Sequence, residues 1–318
     1  MRPKPLWSIF GTDGILKAGQ DARIKNEGDR KMSRLNSESQ QKRVTHWKEM
    51  NYASFDEIDR DLHFHPSQVK EPERLTLDQV SQYNTKGYIT GIRIFPDEKA
   101  RANRQYFDAL LTRTLSEGKN SYSISTVHRK YRKVFDIATD PLVLDYVSDI
   151  LGEHFVLWGC HFFCKMPHDG KSVSWHQDAS YWPMTPSKTV TVWLAIDDSD
   201  CDNACMRVIP ASHLCGHLTW RKSKDMENNV LDQTVENAES YGDPPVDLIL
   251  NAGEVSLHSD LILHGSEPNL SNRRRCGLTM RYAAVDVRAY MGWHEKGIVC
   301  RGIDPEGHWA DEPPPEAE

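Results

Sequence analysis

The chain has 318 residues, a formal net charge of −7, and 38% hydrophobic against 27% charged residues, with nine Trp, eleven Tyr and nine Phe to fill a large core. The acidic balance excludes a nucleic-acid surface as its main business, and no apolar stretch reaches the roughly 20 residues that span a bilayer. Seven cysteines, an odd number, with Leu6 to Phe10 too short for a secretory core, point to reduced thiols and a soluble cytoplasmic protein.

Residues 1–45 carry ten Lys/Arg against five Asp/Glu and little hydrophobic periodicity, which predicts a basic, mobile or loosely docked arm. His63-Phe64-His65 has metal-ligand spacing but no third partner nearby, so packing is the better reading. Thr76-Leu77-Asp78-Gln79 fits a capping box ahead of a helix that stops near Gly87. Tyr88 to Phe95 reads as a strand. Asp97 is placed to cap a second helix running to Gly118, and Asp140-Pro141 to open a third that ends at Gly152. Together these helices predict a layer supporting a sheet.

After Gly152 the period changes from helical to strand-like. Phe155–Trp158, 159–165, 189–196, 206–209, 246–250, 254–258 and 276–285 are short β-type runs between Gly, Pro, Asn and Asp turns. Many short strands after a helical start predict a mainly β protein with flanking helices, a two-sheet jelly roll of cupin type. Cys160/Cys164 and Cys201/Cys205 share an x3 spacing, whereas structural zinc sites usually use tighter knuckles, so buried thiols are expected. The polar stretch 221–245 predicts a long loop or lid over the mouth, and 311–318, with three prolines and four acids, a disordered tail.

The chemistry centres on Ser174 to Trp182. In extended backbone, His176 and Asp178 leave the same face. A same-face His and carboxylate joined by one distant His make a facial triad for Fe(II) with open positions, and His264 is available as the third donor. Zinc tolerates the same donors, so the set alone leaves a hydrolase open. Arg275 closes the run Arg273-Arg274-Arg275, where a surface charge is the alternative reading.

Taken in order, His176, Asp178, the Asn203 turn, Ile209-Pro210-Ala211-Ser212-His213, His264-Gly265-Ser266 and Arg275 resemble the phytanoyl-CoA dioxygenase family of Fe(II)/2-oxoglutarate oxygenases. The resemblance runs from about Leu75 to about Val285. It implies a double-stranded β-helix and a metal held by His176, Asp178 and His264, and it assigns Arg275 to the far carboxylate of 2-oxoglutarate. Lys165, Thr191 and Trp193 are implied as co-substrate helpers. Tyr181, Trp182 and Gln177 follow as candidate substrate residues. The reaction implied consumes O2 and hydroxylates a small molecule, releasing succinate and CO2, with desaturation, epimerisation, C-heteroatom cleavage or a non-catalytic metal-binding protein as alternatives. Related halogenases lack the carboxylate that Asp178 supplies. Ala204 and Ala211 stand where the family commonly has glycine. The expected organisation is an arm over 1–45, one oxygenase domain over 46–300 with its core at about 153–290, and a tail over 301–318.

Overall fold

The structure, a computed structural model, describes residues 57–316. The basic arm and the first residues expected in the domain lie outside the described residues. Four helices are described: α1 (Leu77–Lys86), α2 (Asp97–Ser116), α3 (Arg132–Ala138) and α4 (Pro141–Leu151). The strands are β1 (Tyr88–Arg93), β2 (Phe155–Lys165), β3 (Val173–His176), β4 (Met184–Thr185), β5 (Thr189–Ala195), β6 (Met206–Ile209), β7 (Arg221–Lys222), β8 (Gln233–Thr234), β9 (Val246–Leu248), β10 (Glu254–His258), β11 (Leu263–Ser266), β12 (Arg275–Ala284), β13 (Arg288–Ala289) and β14 (Ile298–Arg301).

They pair antiparallel in a six-stranded sheet ordered β1-β10-β5-β12-β2-β14 and a four-stranded sheet ordered β3-β11-β6-β9, with β4-β13 and β7-β8 as separate pairs. The protein is therefore mainly β, with few helices. Strand alternation divides the large sheet into two faces. Val190, Val192 and Leu194 of β5 and Cys276, Leu278, Met280 and Tyr282 of β12 meet the apolar sides of the helices in one core. Thr191 and Trp193 of β5, with Arg275, Gly277, Thr279 and Arg281 of β12, turn the other way. A bulge between Arg281/Gly159 and Tyr282/Leu157 inserts Trp158 into β2 and joins what the sequence presents as two runs into one bent strand.

The helix signals act as the sequence predicts, with two exceptions. Thr76 and Gln79 form a reciprocal capping box, Gly87 ends α1 in the left-handed region, and Asp140 caps α4 with Pro141 at its first position. Pro96, not Asp97, occupies the N-cap of α2, so Asp97 acts only as a first-turn charge near the positive end of the helix dipole. Helix α3 had no separate signal: its seven residues are too few for a periodic pattern.

Two boundaries need correction. Stretch 221–245 is a docked rim rather than an unsupported loop. It contains the β7-β8 pair, Val235 N donates to Trp175 O (2.9 Å), Ser174 Oγ donates to Gln233 O (2.6 Å), and Leu231 is buried with Trp182. The tail expected from 301 begins later, because His308 and Trp309 are 4% and 5% exposed and Ala289 N donates to His308 Nε2. Two large rings offset the polarity of their neighbours, which composition averages hide.

Candidate active site

Strand β11 lies between β3 and β6, and its register sets His264 directly opposite His176. That pairing requires Gly265, where a Cβ would stand 2.7 Å from Val173 O. β3 ends at His176, Gln177 remains extended, and Asp178 opens a short 3-10 turn, so Asp178 keeps the face predicted by alternation even though the strand has stopped. His176 Nε2 is 3.8 Å and His264 Nε2 4.0 Å from Asp178 Oδ1. All three donor atoms fall within 4.8 Å of one another and all three residues are buried.

The tautomers follow from the partners. His176 Nδ1 lies 2.8 Å from Ser174 O and His264 Nδ1 3.1 Å from Ile262 O. A carbonyl only accepts, so each Nδ1 carries the proton and each Nε2 lone pair faces the shared space. Burial, then the adjacent His264, pushes the His176 imidazole down to about 3, keeping it neutral. Burial opposes ionisation of Asp178, but Arg281 and the neighbouring imidazoles outweigh it and hold its carboxyl below the usual range. Two imidazole nitrogens and one anionic oxygen suit a divalent metal.

The same cavity is lined by Phe163, Trp193, His258, Ser266, Arg275 and Arg281. Arg275 is 3% exposed; its Nε donates to Ala204 O (2.9 Å) and its Nη2 to Ser266 Oγ (3.0 Å). Among the described residues no carboxylate forms an ion pair with it, and burial draws its guanidinium below its ordinary value. The run of three arginines splits three ways. Arg273 pairs with Asp200 on the surface, Arg274 bridges Asp197 and Asp108, and Arg275 alone enters the cavity. Trp193 lies along this end, its ring centre 5.8 Å from the Arg275 guanidinium carbon and its six-membered ring over Gly277, where a Cβ would meet it at 2.0 Å.

Other sequence candidates stand elsewhere. Lys165 pairs with Arg275 across β2-β12, but its Nζ donates to Lys171 O (2.7 Å) and Glu267 O, away from the cavity wall. Burial, then the charge of Arg275, draws that ammonium down to about 7. Thr191 is buried on the inner face opposite Arg281 and His258 without reaching the wall. Gln177 points to the other side, where its amide donates to Gly216 O and Leu261 O and accepts from Leu218 N. It clamps the turn that carries the triad. The Tyr181 ring lies 6.1 Å from that of His176, and Trp182 packs edge-on against Trp158 at 4.6 Å in a buried aromatic cluster behind the site.

Residues 83–277 match the phytanoyl-CoA dioxygenase (PhyH) family model. The chain belongs to this family. It is an oxidoreductase of the non-haem iron, 2-oxoglutarate-dependent dioxygenase class. Human peroxisomal phytanoyl-CoA dioxygenase is 24% identical over 250 residues, 70% of this chain and 73% of that one. A probable alpha-ketoglutarate-dependent hypophosphite dioxygenase of Stutzerimonas stutzeri is 28% identical over 53% of this chain and 59% of its own. Among solved structures, the non-heme monooxygenase ThoJ is similar at 25% identity and TM-score 0.64, over 74% of this chain and 88% of that one. EctD from S. alaskensis, in a complex with 2-oxoglutarate and 5-hydroxyectoine, shares the fold at 18% identity and TM-score 0.62, over 84% of this chain and 95% of that one.

In this dioxygenase-family chain the sequence reading passed over two cavity residues. Arg281 lies on the inner face of β12, its charge toward Asp178 and its guanidinium carbon 5.4 Å from the centre of the Trp182 ring. His258 closes the side beyond His264, ring centres 5.1 Å apart. Counting in twos along β12 from Arg275 reaches Arg281, so that signal was present. His258 had none, because its place depends on the pairing of β10 with β5. Among the described residues, no helix is long and apolar enough to cross a membrane.

Proposed function

We propose that this protein hydroxylates a small-molecule substrate, with His176, Asp178 and His264 holding Fe(II) and Arg275 holding the far carboxylate of 2-oxoglutarate. One observation carries the reading: a buried guanidinium with no carboxylate partner among the described residues shares a cavity with two imidazoles and a carboxylate. A buried charge is costly unless paired, so the cavity suits an anion at one end and a metal at the other.

When bound, an iron(II) centre chelated by 2-oxoglutarate supplies oxidising power from O2, with succinate and CO2 as co-products. The chain's own residues prepare the site. Ser174 O and Ile262 O fix which imidazole nitrogen is free, Gln177 fixes the turn beneath Asp178, and Arg281 keeps Asp178 ionised. Ala204 O and Ser266 Oγ orient the Arg275 fork, which suits bidentate recognition of a carboxylate. The two antiparallel sheets with the site between them support a double-stranded β-helix, and seven free thiols fit a reducing cytoplasm. We keep Tyr181 and Trp182 as a supporting wall and Lys165 and Thr191 as residues around the co-substrate end.

The test is metal content and 2-oxoglutarate turnover. His176→Ala and His264→Ala should lose most bound iron, while Asp178→Gly should retain part of it and form no hydroxylated product. Unchanged stoichiometric iron in both histidine variants would overturn the ligand set. Product analysis separates hydroxylation from desaturation, epimerisation and C-heteroatom cleavage. Complete absence of 2-oxoglutarate turnover across varied substrates would favour a binding protein.

A further inference from the structure

Outside this site, among the described residues, one other cluster brings metal-type donors together. Cys201 and Cys205 flank a turn whose shape is fixed from within: Cys205 N donates to Asp200 O (2.9 Å) and Asn203 Nδ2 to Asp198 O (2.8 Å). Strand β9 pairs with β6, setting Asp247 opposite Arg207, and this carries the Asp247 carboxylate up to the turn. The two sulfurs and one carboxylate oxygen lie within 4.8 Å of one another. Asp247 Oδ1 is 2.9 Å from Arg207 Nε, while its Oδ2 is 3.6 Å from Cys201 Sγ. One oxygen thus faces the Arg207 cation as an ion pair, and the other is turned to the thiols.

We propose that Cys201, Cys205 and Asp247 bind one thiophilic divalent cation of the zinc class, with water completing a tetrahedron. Donors on such a tetrahedron stand roughly 3.3 to 3.8 Å apart, given metal distances of about 2.0 to 2.3 Å. Cys201 is exposed, so its side chain has room to rotate toward that spacing. The x3 spacing argued against zinc only while the two cysteines were the whole set; the third donor arrives across the sheet.

The probe is Co(II), titrated anaerobically into the metal-free full chain with a non-thiol reductant. Thiolate-to-cobalt charge-transfer absorption reports sulfur ligation and is not given by imidazole or carboxylate donors. It should saturate with one equivalent at this site, be displaced by Zn(II), vanish in Cys201→Ser, and need on the order of tenfold more metal in Asp247→Asn. It should survive in His176→Ala, so the outcome is independent of the iron-site proposal. Absence of the absorption in the parent, or its persistence in Cys201→Ser, overturns the site. Loss in Cys201→Ser with no change in Asp247→Asn overturns the three-donor assignment. Both variants change exposed side chains, so loss of the fold does not confuse the reading.

Discussion

Arg275 and Arg281 lie on one face of one strand, line one cavity and are each 3% exposed, but their charges are answered differently. Arg281 faces the carboxylate of Asp178 and stacks near Trp158 and Trp182. Among the described residues Arg275 is met by a carbonyl, a hydroxyl and the Trp193 ring, and by no carboxylate. The contrast separates a cation that faces a carboxylate inside the fold from one that no carboxylate among the described residues answers, as the proposed anchor of 2-oxoglutarate requires.

The largest test removes the answered cation. Arg281→Met should destabilise the metal-free chain by about 1 to 3 kcal/mol in urea unfolding, the range for leaving buried polar partners unanswered. A loss below about 1 kcal/mol would show that Asp178 does not rely on it. Arg275→Met should behave oppositely: metal-free stability stays level or rises, while 2-oxoglutarate affinity at equal metal content falls one to two orders of magnitude, about 1.5 to 3 kcal/mol. Arg275→Lys should recover only part, and Arg273→Ala should leave affinity unchanged. If Arg273→Ala is the damaging change, the assignment along the arginine run is wrong.

Acid supplies a third measurement. Burial first, with Arg281 contributing, pushes His161 and His258 down to about 3. Their folded values lie below the unfolded value, so the unfolded chain takes up protons first. Stability is full above about pH 6.5 and is lost as pH falls toward 3, by roughly 1 to 1.5 kcal/mol per histidine at about pH 5.5. Urea midpoints of the metal-free chain at pH 7 and 5.5 should show this loss in the parent, a smaller one in Arg281→Met, and the parental one in Arg275→Met. Equal slopes in all three would remove Arg281 from the account. The smallest effect concerns Ala204, whose carbonyl meets Arg275 although its φ is +65°. Ala204→Gly relieves a left-handed alanine and should stabilise by about 0.5 to 1 kcal/mol with 2-oxoglutarate affinity unchanged. A stability loss on thermal unfolding would mean the turn is not strained.

What was legible in the sequence was local. The Thr76 capping box, the Asp140-Pro141 start, most strands and the His176/Asp178 pair depend on neighbours within a few residues. His264 opposite His176 depends on strand register, and only the family resemblance selected it. Gln177 looked like a pocket residue because it stands between two ligands, yet alternation turns it outward. The stretch 221–245 was not legible because β7 and β8, two residues each, are too short to show a period, and the bonds that dock it run to the distant β3. At Ala204 and Ala211, with φ +65° and +68°, the left-handed geometry was kept without the glycine that usually signals it.

The three-way split of Arg273, Arg274 and Arg275 also bears on how the loop before β12 tolerates changes of length. Because a strand alternates faces, inserting or deleting one residue there moves every following side chain to the opposite side unless the loop absorbs the change. In most strands such a slip would remove the cavity's cation. Here a slip of one position toward the N-terminus presents Arg274 in place of Arg275, so the interior still receives a guanidinium, while the bridge from Arg274 to Asp108 on α2 is lost. The basic run thus acts as a spare, in one direction, for the cation of Arg275 alone: the same slip carries Arg281 away from Asp178 and breaks the tie between sheet and helix.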